Sequence, residues 1–317
     1  MAQSHERRSI SVVTPVYNGE ASVGELCRRL AQVLPRISAQ HEIILVNDGS
    51  RDRSWETISE LSSRSPVVRG LNLMRNYGQH NALLCGIRAA KYDLVVTMDD
   101  DLQHPPEEIP RLLARLEEGF DVVYGAPKAE RNGPMRALAS RFTRLALSAA
   151  IGSDVAKNVS AFRVFPTYLR EAFAGYQSPF VSIDVLLTWA TTRFGATTID
   201  FQPRHSGSSN YTFTKLVRHA LDMMTGFSTA PLQLASLIGF TCTLFGIGVF
   251  VYVVGRYLFE GSIPGFPFLA SIIAIFSGAQ LFALGVIGEY LARIHFRTMN
   301  RPVYLVRNVS GDTKDAS

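Results

Sequence analysis

From Ser9 to about Ala126, short runs of branched apolar residues alternate with longer amphipathic stretches. Ile10–Thr14, Glu42–Asn47, Val67–Leu73, Leu94–Met98 and Val122–Tyr124 read as strands. Ser22–Leu34, Ser54–Ser63, Gln79–Ala90 and Pro106–Glu118 read as helices between them. Unbroken Val, Ile and Leu runs suit strands covered on both faces, as in a parallel sheet. Strand–helix alternation predicts a doubly wound α/β domain. Such sheets bind ligands outside the carboxyl ends of their strands. The polar signals fall there: Pro15-Val16-Tyr17-Asn18, Asp48-Gly49-Ser50, Arg75-Asn76-Tyr77-Gly78 and Asp99-Asp100-Asp101.

Beyond this domain the pattern changes. Lys128, Arg131, Arg136, Arg141 and Arg144 form a basic run against Glu130 alone, and 154–210 is mixed. Thr212–Phe227 sets Lys215, Arg218 and His219 beside Phe213, Leu216, Leu221 and Met224, the pattern of a helix lying in a lipid interface. Two apolar stretches follow, Leu232–Phe259 and Phe266–Leu291. Each exceeds the roughly 20 residues that a helix needs to cross hydrocarbon. Gly261-Ser262-Ile263-Pro264-Gly265 is the turn between them. Lys215 and Arg218 precede the first stretch, Arg293, Arg297, Arg301 and Arg307 follow the second, and the turn carries almost no positive charge. The positive-inside tendency puts both flanks on the cytoplasmic side. The expected division is a catalytic domain over 1–210, an interface helix over 211–229, two spans over 230–296 and a cytoplasmic tail over 297–317, frayed after Asn308.

The chain has 317 residues, enough for a sizeable core, and a formal net charge of +5. Cys27, Cys85 and Cys242 are far apart, which argues against a disulfide framework or zinc knuckle. Met1–Ser9 is polar, with no apolar segment of a secretion signal after it. Nucleic acid is a poor fit as a partner, because aromatics do not interleave the basic run.

Three adjacent carboxylates at a strand end repel one another unless a cation neutralises them. Mg²⁺ or Mn²⁺ held by one or two carboxylates and substrate phosphate oxygens is the usual solution. Gln103 would add a neutral oxygen; a solvated acidic turn is the bland alternative. Asp48 either accepts hydrogen bonds from a ligand or simply forms an Asp-Gly turn. Arg136, Ser140 and Arg144, spaced by four, share one face of a helix. With Lys128 and Arg131 they could hold a phosphate, an anionic lipid surface, or only solvent. His104, beside the acidic cluster, reads as a loop histidine in preference to a ligand. Glu289 and Arg293 read as an ion pair one turn apart.

Taken in order, these stretches resemble family 2 inverting glycosyltransferases of the polyprenyl-phosphate type, the group of the dolichyl-phosphate mannose synthases and bacterial polyprenyl-phosphate sugar transferases. The matching residues are 13–20, 46–50, Arg75-Asn76-Tyr77-Gly78-Gln79-His80, 99–107, Arg204, Gly207, Ser209 and Tyr211, and 285–291. The Asn-Tyr-Gly-Gln-His stretch is most similar to the formamido-arabinose branch. The resemblance implies a GT-A (Rossmann-like) fold. Pro15, Tyr17, Glu20 and Asp48 would line the nucleotide pocket, with Asp99 and Asp100 near the ribose and diphosphate. Asp101 and Gln103 would ligate Mg²⁺ or Mn²⁺. Lys128, Arg136 and Ser140 would hold the lipid phosphate, joined by Arg131 of the same basic run, and Arg204 and Ser209 match a loop near the donor diphosphate. Asp101 and Arg136 would carry the transfer.

Two departures stand out. Asp100 occupies a position that is usually small in the family's D-x-D motif. Ala161 stands where some members have an Asp proposed as catalytic base, so no base is assigned. The expected activity is metal-dependent transfer of a sugar, from a UDP-linked nucleotide sugar to undecaprenyl or other polyprenyl phosphate. The expected place is the cytoplasmic face of the bacterial inner membrane, with the lipid bilayer as partner and a homo-oligomer compatible with the chain. A transferase with another glycan or lipid acceptor, or a non-catalytic membrane scaffold, are the competing readings. Free polyprenyl phosphate as a competitor separates the first, and nucleotide-sugar binding separates the second.

Overall fold

The computed structural model describes residues 8–127, 158–178, 181–202, 230–260, 265–299 and 301–311. Strands β1 (Ile10–Val16), β2 (His41–Asn47), β3 (Val68–Leu73) and β4 (Leu94–Thr97) alternate with helices α1 (Val23–Ile37), α2 (Ser54–Arg64) and α3 (Gln79–Ala89). A 3₁₀ turn at Pro106–Glu108 leads into α4 (Ile109–Glu117), followed by β5 (Val122–Pro127), β6 (Arg163–Pro166), a second 3₁₀ segment (Thr167–Phe173), α5 (Ile183–Ala190) and β7 (Phe194–Ile199). Two long helices, α6 (Ala230–Glu260) and α7 (Phe266–Thr298), precede a last strand, β8 (Val306–Ser310).

All eight strands form one sheet in the order β7-β5-β6-β4-β1-β2-β3-β8. The β1–β2, β2–β3 and β1–β4 pairs are parallel, as the apolar runs predict. β1 is buried along its whole length, and successive side chains enter opposite layers. Val12 and Val16 pack in the layer containing α1, α2 and α4; Val13 packs in the layer containing α3 and α5. Helix α1 turns Val23, Leu26, Cys27, Leu30 and Leu34 inward at three- and four-residue spacing.

The sheet is not wholly parallel. β6 inserts antiparallel between β4 and β5, which periodicity in the mixed stretch did not reveal. The tail is a correction. Val309 and Ser310, expected to be frayed, are paired: Asn308, Val309 and Ser310 lie antiparallel to Asn72, Leu71 and Gly70. A bare β3 edge would leave backbone groups unpaired, and a half-exposed polar strand covers it. Its polarity reflects a sheet edge, not disorder.

α6 and α7 pack against each other as a pair. Their apolar stretches, Pro231–Phe259 and Ile275–Thr298, have mean hydropathies of 2.2 and 1.4, and the most apolar 18-residue window of each is 0% buried in the protein. Phe240, Phe250, Leu258, Leu281 and Leu291 all face outward. At 1.5 Å per residue, the 31-residue α6 is about 46 Å long, more than the hydrocarbon thickness. An apolar surface this large is tolerable only when covered, and the described protein does not cover it. The hairpin makes this a membrane protein. Glu289 and Arg293 pair at 2.9 Å, one turn apart as expected.

Candidate active site

The carboxyl ends of β1, β2 and β4 and the loop after β3 surround a cleft of about 270 Å³. Its walls are Pro15, Val16 and Tyr17, then Asp48, then Asn76, Gly78 and Gln79, and finally Asp99, Asp100 and Asp101. Six residues expected at the site, Pro15, Tyr17, Asp48, Asp99, Asp100 and Asp101, therefore line one space.

The loops that carry them are laced together. The Asn18 amide donates to Ser50 Oγ at 3.0 Å, and the Arg51 amide donates back to Asn18 Oδ1 at 2.9 Å. Asn18 adopts φ +54°, a left-handed conformation that Asn tolerates. Gly19 donates its amide to Ser54 Oγ at 2.9 Å. A Cβ at Gly19 would collide with the Asp100 carboxylate, so glycine lets the acidic turn close onto this loop with that side chain undisplaced. Gly49 has φ +65° and lies directly under the Arg75–Asn76 backbone, with no room for a side chain.

Asp48 is buried, and both of its oxygens are engaged. Oδ1 accepts the Tyr77 amide at 2.7 Å, and Oδ2 accepts the Gly78 amide at 2.9 Å. Burial pushes its carboxyl up from the usual range, and the two amides oppose that shift. Asp48 thus faces the cleft and at the same time anchors the turn that starts α3.

The acidic turn is held from below. Gln79 Nε2 donates to Asp99 Oδ1 at 2.6 Å, and the Gln103 amide closes a local turn onto Asp101 Oδ1 at 3.1 Å. The Asp99 amide donates to His104 Nδ1 at 3.2 Å, which leaves the ring proton on Nε2. His104 is buried between Phe162 and Phe201, with ring centroids 5.5 and 4.9 Å away. Burial pushes its pKa down to about 4, so it is a neutral loop-holding histidine. Leu102 takes φ +62°, an outlier for a bulky residue, while its side chain sits in the core. Burial of the Leu102 side chain holds the turn in this strained shape.

Beneath the turn lies a buried ionic network. Arg163 Nη1 pairs with Asp184 Oδ1, Tyr124 donates its hydroxyl to the same oxygen at 3.0 Å, and Arg163 Nε donates to Thr97 Oγ1 at 3.0 Å. Thr97, the last residue of β4, donates its hydroxyl to the Ala161 carbonyl at 2.7 Å. Burial and the Asp184 charge push the Tyr124 phenol up.

Not every expected residue reaches the cleft. Glu20 accepts the Arg53 amide at 3.2 Å beside the start of α2 and is not among the lining residues. Gln103 is not among them either; its carbonyl accepts the Gln202 amide at 3.1 Å. Lys128, Arg131, Arg136, Ser140, Arg204 and Ser209 lie outside the described residues. Gln79 and Gly19 had no individual role in the sequence reading. The polar run after β3 pointed to Gln79, whereas the closeness of Gly19 to Asp100 is a tertiary fact. Among the described residues, no group of three or more acidic, His or Cys side chains converges into a metal cage. Carboxylates lining an open cleft instead fit a hard cation that takes one or two protein oxygens and completes its shell from a bound phosphate.

A sheet of this architecture with an acidic cleft at its carboxyl edge defines a GT-A-like glycosyltransferase fold. Solved structures of glucosyl-3-phosphoglycerate synthase from Mycobacterium tuberculosis share it. The complex with Mn²⁺ and UDP-glucose superposes with a TM-score of 0.50 at 18% identity, covering 69% of this chain and 77% of that one. The complex with Mn²⁺, UDP and glucosyl-3-phosphoglycerate gives 0.51 at 20% identity, covering 69% and 78%.

The chain belongs to glycosyl transferase family 2, whose model matches residues 11–173. It is 34% identical to an undecaprenyl-phosphate 4-deoxy-4-formamido-L-arabinose transferase of Proteus mirabilis, over 99% of this chain and 98% of that one. It is 35% identical to the enzyme of that name from Yersinia enterocolitica, over 98% and 96%. The protein is an enzyme, a glycosyltransferase with a membrane hairpin.

Proposed function

We propose that this enzyme transfers a sugar from a UDP-linked donor to undecaprenyl or another polyprenyl phosphate, with inversion, at the cytoplasmic face of the inner membrane. The observation that carries this reading is the joining, in one chain, of an acidic nucleotide-type cleft to an uncovered apolar hairpin. A water-soluble acceptor would not need the hairpin. The full-length likeness to undecaprenyl-phosphate sugar transferases supports the same acceptor class.

In this reading Pro15, Tyr17 and Asp48 flank the nucleoside, and Asp99 and Asp100 flank the ribose and diphosphate. Asp101, with Gln103 assisting, holds Mg²⁺ or Mn²⁺. When bound, the cation neutralises the charge that develops on the leaving diphosphate. Lys128, Arg131, Arg136 and Ser140 hold the acceptor phosphate, while Arg204 and Ser209 face the donor diphosphate. An oxygen of the acceptor phosphate attacks the anomeric carbon as the bond from that carbon to the diphosphate oxygen breaks; the nucleoside diphosphate leaves with the electron pair. A phosphate monoester has its second pKa near about 6 and is largely dianionic at neutral pH. The nucleophile therefore needs no proton removed, which is compatible with Ala161 where other members carry an Asp. What the protein must supply is alignment and a stabilised leaving group.

The test is to incubate the purified protein with polyprenyl phosphate, Mn²⁺ or Mg²⁺ and a panel of nucleotide sugars, and to weigh the lipid product. One donor should add its glycosyl mass to the lipid phosphate, and chelation or Asp101→Ala should abolish the reaction with the fold intact. Full divalent-dependent turnover by Asp101→Ala would remove the metal assignment. No product with any donor would remove the reading.

A further inference from the structure

The end of the second membrane helix is tied tightly to the cleft. Helix α7 ends at Thr298, and Val303 is already buried in the core layer that contains α3. Residues 299–302 bridge the two, a reach of at most about 17 Å even when extended. Pro302 lies within this bridge and restricts it further.

From Val303 to Ser310 the chain is held against the catalytic domain. The Arg88 guanidinium lies 5.9 Å from the centre of the Tyr304 ring, and the Tyr304 side chain lies within electrostatic reach of the Cys85 thiol. Both partners belong to α3. Arg88 Nη2 also donates to the carbonyls of Ala174 and Tyr176, at 2.9 and 2.8 Å. The Met74 amide donates to the Leu305 carbonyl at 2.9 Å, and β8 then adds to β3. The same α3 begins with Gln79, which grips Asp99, and follows the Tyr77–Gly78 amides that Asp48 accepts.

Near this junction Trp189 is half exposed and meets Tyr176 edge to face at 5.5 Å, and the Arg297 charge reaches Tyr176. A half-exposed Trp, backed by a buried Tyr, beside the cationic end of a membrane helix suits the headgroup layer.

We infer that residues 301–311 are a rigid tether that sets the height and tilt of the cleft over the bilayer, so that an acceptor phosphate at headgroup depth meets the donor. Tyr304 and Val303 are positioning residues in this scheme, acting through α3. The inference rests on the transferase reading above and adds a cause for its geometry. A loose tether would leave the cleft chemically intact but free to rise and roll. A displacement of the reactants by about an ångström can already cost on the order of a hundredfold in rate.

The experiment inserts about ten Gly-Ser residues between Arg301 and Pro302, a flexible spacer of roughly 17 Å. Transfer is measured to polyprenyl phosphate in liposomes and to a short, water-soluble isoprenyl phosphate. The expected result is a loss of about tenfold or more with the liposome acceptor, with nucleotide affinity and transfer to the soluble acceptor unchanged. Equal transfer with both acceptors, or equal loss with both, overturns the tether. If the unaltered protein transfers sugar to neither, the transferase reading is what fails. The tether then stands or falls on a chemistry-free readout. A fluorophore at Arg51→Cys, in a Cys242→Ser background, should report one narrow distance to labelled lipid headgroups in liposomes. The insertion should broaden it, and an unchanged distance distribution overturns the inference.

Discussion

Replacing Asp48 with Asn tests whether this carboxylate works on the loop or only on a ligand. Its two oxygens accept the Tyr77 and Gly78 amides, and the side chain is 2% exposed. Asn keeps one acceptor and turns an NH₂ toward the other amide. One buried N–H then loses its partner, at a cost of about 1–3 kcal/mol. The surviving bond loses its charge assistance, worth roughly another 1 kcal/mol. Relief of a buried charge offsets part of this, since burial already pushes the Asp48 carboxyl up. The net loss should be about 2–3 kcal/mol, or a fall of roughly 5–10 °C in the unfolding midpoint of a domain this size. Because the Gly78 amide opens α3, Gln79 should also loosen its hold on Asp99, and nucleotide affinity should fall with stability. The assay pairs thermal unfolding with calorimetric titration of UDP and Mn²⁺. An unchanged midpoint with lost nucleotide binding would refute the argument, since Asp48 would then act on the ligand alone.

Gly19→Ala should weaken Mn²⁺-dependent nucleotide binding with little change in the unfolding midpoint, because the new methyl displaces the Asp100 carboxylate at the cleft; equal affinity would show that the turn relaxes freely. Arg163→Ala should destabilise the domain by about 3–5 kcal/mol by stranding the buried Asp184 charge, and a denaturant titration in which the Arg163→Ala, Asp184→Ala double variant is no more stable than the single would count against that cause. His104 has a pKa of about 4 in the folded chain against about 6.5 unfolded, so the unfolded state binds more protons between those values. Its contribution is complete above about pH 6.5 and fades as pH falls toward 4, by about 3 kcal/mol in all. His104→Asn keeps an acceptor for the Asp99 amide and does not titrate, so stability measured from pH 7 to 4 should fall less steeply than in the parent; parallel curves would contradict this.

Most of the frame was readable along the chain, because its signals are local. Runs such as Ile43–Val46, short, mostly β-branched and bounded by turn residues, suit strands buried on both faces, and the apolar positions of α1 recur at helical spacing. Two stretches too apolar and too long for a soluble core announced the hairpin. Turn residues and acids after each strand pointed to the cleft, since an open sheet gathers its strand ends at one edge. Tertiary structure decided what depends on distant partners. Val306–Ser310 looks like a polar tail until the open edge of β3 gives its backbone a ladder to join. Asp48 reads from the sequence as a cleft residue, but only the fold shows that it holds the Tyr77 and Gly78 amides, and Gln79 looks like a surface polar residue until the fold brings it to Asp99. Periodicity reports which face of an element is buried; it carries no record of which other element lies against it. The closeness of Gly19 to Asp100 and the short bridge from α7 to the core exist only once the chain has closed on itself.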